Sequence, residues 1–172
     1  FTEQTALAVL PVLHGLAGVG ALARLWAVVY AGNVLGAAAF AAGAVWFGPA
    51  SGAIRPSAFG DLAAKMTGHS GAVVLVSGVL AGWLMGLLSW LVAAGRDTIS
   101  QVVMVFVVTA AIGLCGLHHV VAGTAEVAAG VFGGHTAAGE AARVLLWATL
   151  GNSLGGSLFV ALVKYGHAIR RD

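Results

Sequence analysis

Eight Lys or Arg and six Asp or Glu are spread over 172 residues, and their spacing constrains the fold more than any motif does. Between Glu3 and Arg24, Arg24 and Arg55, Lys65 and Arg96, Asp97 and Glu126, and Arg143 and Lys164 lie five stretches that contain none of them. Each is about as long as a helix needs to cross a hydrocarbon core about 30 Å thick. A chain in lipid must satisfy its own backbone hydrogen bonds, which leaves helices or a closed barrel. The runs are continuously apolar and lack period-two alternation, so the expectation is an all-α integral membrane protein that crosses the bilayer several times. A mean hydropathy of +0.99 excludes an ordinary soluble domain. The net charge of +2 comes from basic residues near helix ends rather than from a basic face, which argues against nucleic acid as a partner. Cys115 is the single cysteine, so no intrachain disulfide can form.

Punctuation divides the chain into a half-helix at about 5–19 and spans at about 24–47, 70–94, 99–132 and 144–165, all in one transmembrane domain. The first apolar stretch carries Pro11, Gly15 and Gly18 and is short for a span. Residues 48 to 65 read as a loop by their Gly, Pro and Ser content. Arg24, Arg96, Lys164, Arg170 and Arg171 fall on one side and Arg55, Lys65 and Arg143 on the other, which assigns the C-terminus to the cytoplasm.

Two adjacent histidines, His118 and His119, interrupt the fourth of these stretches. Ionisable side chains at bilayer depth are expensive and face the protein interior, a cavity or a pathway, so this is the first place to look for function. The glycines that follow, Gly123 and Gly130, suggest a helix broken near 119–123. On a continuous helix His118 points about 100° away from His119, and it serves either as a hydrogen-bond partner of a facing helix or in a pore. Glu126 either pairs with His118 or lies near the outer interface as a vestibule carboxylate, and the second reading is preferred.

Gly32-Asn33-Val-Leu35-Gly36 and Gly151-Asn152-Ser-Leu154-Gly155, each followed four residues later by Phe, agree at a constant offset of 119. By the assignment of sides the two helices run in opposite directions, so the expectation is an inverted repeat of the kind transporters use. Carrying the offset backwards places the partner of His119 just before Phe1 and sets Thr2 opposite Val121. The fold expected is therefore an aquaporin-like inverted repeat of three spans with two broken helices. Here it lacks the first span and the first half of the second, about sixty or more residues upstream of Phe1.

These residues together resemble the formate/nitrite transporter family. Phe1-Thr2 is similar to the break in the family's second span, and Trp26, Tyr30 and Gly32-Asn33-Val-Leu-Gly36 to its third span. Lys65, Gly78-Val-Leu-Ala-Gly-Trp-Leu-Met85 and Trp90-Leu-Val-Ala-Ala-Gly-Arg-Asp97 resemble the fourth. Gly116-Leu-His-His-Val-Val-Ala122 resembles the broken fifth, and Thr149-Leu-Gly-Asn-Ser-Leu-Gly-Gly-Ser-Leu-Phe159 the sixth. The resemblance implies a homopentamer with one pore per protomer in the cell inner membrane. Its cargo would be small monovalent anions such as formate, nitrite, short carboxylates or hydrosulfide, or their conjugate acids. It implies no enzyme activity and no cofactor.

The same resemblance assigns His119 as pore histidine, Thr2 as the helix-break threonine beside Phe1, Lys65 as vestibule lysine and Asn152 as last-span asparagine. Met85 and Ile112 are expected at the pore, Ile112 where the family has a bulky phenylalanine. The family carries Glu where this chain has His118, Asn where it has Gly123, another Asn where it has Gly82, and an apolar residue where it has Glu126. Such departures suggest a divergent branch. Half-helix N-termini offer unpaired N–H groups to an anion, and an imidazole, with an unperturbed pKa of about 6.5, can donate a proton to a weak acid. Lys65 on the outer side could raise the local anion concentration. The competing class is a haem- or metal-binding membrane protein that uses His118 and His119.

Overall fold

Long apolar runs with few helix breakers fold into long helices, and the computed structural model describes them over residues 3–159, apart from the side chains of Glu3 and Gln4. In chain order they are α1 (Glu3–Leu7), α2 (Leu10–Leu13), α3 (Val19–Ala50), α4 (Pro56–Thr67), α5 (Gly71–Ala94), α6 (Thr98–Leu114), α7 (Val120–Phe132) and α8 (Ala138–Phe159). The described residues contain no strand. Phe1, Thr2 and the basic residues from Lys164 onward lie outside them.

α3, at 32 residues, and α5, at 24, are long and apolar enough to cross a membrane, and α6 and α7 are shorter apolar helices. Phe40, Trp46 and Phe106 are each at least 70 % exposed on the outside of the bundle, a surface suited to lipid and not to water.

Two boundaries differ from expectation. The 48–65 stretch is not a loop throughout, because α4 occupies Pro56–Thr67. Pro56 sits in the first turn, where its missing N–H costs nothing, and Phe59, Ala63 and Met66 bury one stripe of the helix. Glycine and serine content masked that stripe. The half-helix expected at 5–19 is instead two short pieces, α1 and α2, and helical structure stops at Leu13. Gly15, at φ +68°, then takes the left-handed conformation that closes a helix end.

The closest packing joins α5 and α8, which run parallel. A Cβ at Gly151 would come within 2.8 Å of the Gly78 Cα, and one at Gly155 would collide with the Val79 carbonyl and the Trp83 amide. Without a hydrophobic force between helices in lipid, association depends on such backbone approach. α4 packs on α7 in the opposite sense, Ala63 against Gly130 and Met66 against Gly123. α6 leans on α5 through Leu88, Val108 and Ile112.

The turn that closes α2 and the turn that closes α7 share one hydrogen-bond pattern. Gly15 N donates to Val12 O, Leu16 N to Pro11 O and Ala17 N to Pro11 O. Gly134 N donates to Val131 O, His135 N to Gly130 O and Thr136 N to Gly130 O. α3 and α8 begin at the same distance past these turns, at Val19 and Ala138.

Asp97 caps α6, its carboxylate accepting from the Ser100 amide at 2.8 Å and from the Ser100 hydroxyl at 2.7 Å. Those bonds hold its carboxyl below the usual aspartate range. A depressed folded-state value means that the cap supports the fold above pH 4 and is lost as pH falls through the folded value. The α5–α6 turn is therefore expected to lose amide protection below pH 4 in hydrogen exchange, and Asp97→Asn should remove that pH dependence. Gly155→Leu should lower stability by about 3 kcal/mol in thermal unfolding followed by tryptophan fluorescence, the upper end of ordinary overpacking. Gly139→Ala, which adds its Cβ to open space, should not.

Candidate functional site

The interruption between α6 and α7 covers Cys115 to His119, slightly ahead of the expected 119–123. It begins where α6 closes in a Schellman arrangement. Gly116, at φ +62°, donates to Gly113 O, and Leu117 N reaches back to Ile112 O at 3.0 Å. A helix that stops inside an apolar medium leaves backbone groups to be satisfied by other elements.

Asn152 supplies much of that satisfaction from α8. Its side-chain oxygen accepts from the Val120 amide at 2.9 Å, at the first turn of α7, and its amide nitrogen donates to His118 O at 2.8 Å and Gly78 O at 3.0 Å. One side chain thus ties the end of the break and the start of α7 to α5. Gly82 lies directly against the Asn152 backbone, where any Cβ would clash with it.

His118 is 2 % exposed and is engaged on both ring nitrogens. Nδ1 lies 2.9 Å from Ser77 Oγ and Nε2 lies 3.1 Å from Met66 O. Since a carbonyl only accepts, Nε2 carries the proton and Nδ1 accepts from the serine hydroxyl, which itself accepts from the His118 amide at 3.0 Å. His69 packs edge-on against the ring, with centroids 5.4 Å apart. Of the two readings of His118, the geometry matches the hydrogen bond to facing elements. It also leaves this imidazole no ring nitrogen for a haem or metal, so that alternative is not favoured.

His119 is the N-cap of α7, its Nδ1 accepting from the Ala122 amide at 3.5 Å. It lines two spaces. One is a cavity of about 580 Å³ shared with Lys65, His69, Met85, Ile112 and Glu126. The other, about 20 Å³, is bounded by Thr5, Trp26, Met85, Asn152 and Ser153. Met85 and His119 are common to both linings.

His119, Asn152, Lys65, Met85 and Ile112 are therefore drawn around two neighbouring spaces, with Ile112 largely buried in the α5–α6 contact and Asn152 acting on the backbone. His118 stands beside them and lines neither space. Thr2 and Phe1 lie outside the described residues. Sequence reasoning missed Ser77, and Thr5 and Trp26, which are joined by a 3.1 Å bond from the indole N–H to the threonine carbonyl. Ser77 belongs to the small-residue stripe of α5 with Gly78, Ala81 and Gly82, the signal that could have exposed it. Arg143 was a marker of sidedness; it also donates to Thr67 O at 2.9 Å and His69 O at 3.1 Å, tying the end of α4 to the start of α8.

Apolar helices, two of them long enough to cross a membrane, and a helix interrupted beside two spaces fit a membrane protein. The formate/nitrite transporter family profile matches residues 1–166, and the chain belongs to that family. Inner membrane protein YfdC of Escherichia coli is 32% identical over 100% of this chain and 55% of its own length. Nitrite transporter NirC of Salmonella typhimurium is 29% identical over 94% of this chain and 61% of its own. NirC of Escherichia coli is 28% identical over 81% of the chain and 54% of its own. The chain thus spans little more than half the length of these relatives. No solved structure gives a significant match.

Removing the Asn152 amide would strand the Val120 N–H and the His118 carbonyl, each at a cost of about 1–3 kcal/mol. Asn152→Leu is expected to destabilise by about 3 kcal/mol and to speed hydrogen exchange at Val120. His118→Ala should act in the same direction by freeing Met66 O.

Proposed function

We propose that the protein carrying this chain is a multi-pass channel or transporter of the cell inner membrane for small monovalent anions such as formate or nitrite, or their conjugate acids. The observation that carries this reading is the place of His119, at the helix break and on the wall of both spaces. Family membership and the nitrite transporters among the relatives support the substrate class. In this reading an anion enters the larger cavity past Lys65 and meets the narrowing at Met85 and His119. There the N-terminal end of α7 stabilises negative charge and His119 lends a proton or a hydrogen bond, lowering the barrier in a low-dielectric passage. Transport, not catalysis, is the activity.

The architecture proposed is an aquaporin-like inverted repeat assembled as a homopentamer. Supporting the repeat, the matched turns at Gly15 and Gly134 stand 119 residues apart, as do the starts of α3 and α8. Tyr30 and Thr149, another pair at that separation, touch through their hydroxyls at 3.3 Å, as counterparts beside a two-fold axis would. On this reading the α3 face bearing Gly32 and Gly36, open in this chain, is the counterpart of the α8 face that α5 covers.

Proteoliposomes containing the full-length protein test the function. Formate- or nitrite-driven swelling should be saturable and should rise as pH falls. His119→Ala should reduce it by about tenfold or more. Unchanged flux in that variant would remove the histidine from the mechanism, and absence of flux in the parent would remove the channel.

A further inference from the structure

The larger cavity has a balanced charge. Lys65 reaches it from the last turn of α4 and Glu126 from the middle of α7. Among the described residues that line it they are the one permanent cation and the one carboxylate, and the other titratable groups are His69, His119 and Cys115. On the elements packed against α7, Asp61 of α4 does not line the cavity, and Glu140 and Arg143 of α8 are paired with each other at 2.9 Å. A half-buried carboxylate against apolar walls calls for a compensating charge, and Lys65 is the permanent cation on the lining of the same cavity. The effect is mutual: a lysine that shares a cavity with a carboxylate attracts free anions less than a lysine alone.

We infer that Glu126 sets the charge selectivity of this vestibule, balancing Lys65 so that the cavity admits small solutes without enriching anions over cations. This rests on the cavity being the entrance to the proposed pathway. A single unit charge about 10 Å away changes local ion concentration severalfold at protein-surface dielectric, enough to decide which ions reach the narrowing.

Cys115 lies on the same wall and reports the local potential without any need for transport. The full-length protein in liposomes, with any cysteine other than Cys115 replaced by serine, is treated with an anionic (sulfonatoethyl) and a cationic (trimethylammonioethyl) methanethiosulfonate. Glu126→Gln, which keeps shape and removes charge, is expected to raise the ratio of anionic to cationic reaction rates by about four- to tenfold, less so in molar salt. Lys65→Gln should lower that ratio by a similar factor, and the double variant should return it toward the parent value. An unchanged ratio in Glu126→Gln, or a Cys115 that reacts with neither reagent in the folded protein, overturns the inference. Loss of the transport reading is separate: a parent protein without formate or nitrite flux removes the channel, while the thiol ratios still decide whether Glu126 balances Lys65.

Discussion

The break between α6 and α7 exists because one buried amide side chain makes it affordable. Stopping a helix in an apolar medium exposes backbone groups that have no water to turn to. Asn152 meets the amide of Val120 and the carbonyl of His118 at once and adds a third bond to Gly78 on α5. For that side chain to reach the break, α7 and α5 together, α8 must lie against α5 at backbone distance, which the glycines at 78, 82, 151 and 155 permit. The small-residue contact and the helix break are therefore one structural device seen from two elements. Placing His119 at an N-cap, with its ring on the walls of both spaces, follows from it.

Much of the helical framework was legible because charge is costly in lipid. The charge-free stretches mark α3, α5 and the α6–α7 pair, and the paired histidines mark the interruption within a few residues. α4 was hidden because its buried stripe is only three residues, Phe59, Ala63 and Met66, set among small and turn-prone residues. The early half-helix was drawn too long because its apolar composition continues past Leu13, whereas its backbone reverses at Gly15.

The candidate site was legible by residue type and less so by role. An intramembrane histidine pair announces itself, but which of the two faces a cavity depends on where the helix stops, a tertiary fact. The bonds of His118 run to Ser77 and to a carbonyl at residue 66, forty and more positions away, and no local pattern encodes them. Asn152 stood out through its match with Asn33, yet its work on the backbone of the break emerges only once α8 is laid against α5 and α7.

The bond from His118 to the Met66 carbonyl joins the immediate neighbour of His119 to the immediate neighbour of Lys65. Between Lys65 and His119 there is thus a strut of two peptide units and one imidazole, in place of fifty residues of chain. The rigid ring sets the length of that strut, which links the end of α4 directly to the residue before the cap of α7. A displacement at the end of α4 would therefore be felt at the break, so these two lining elements of the larger cavity are joined as one unit.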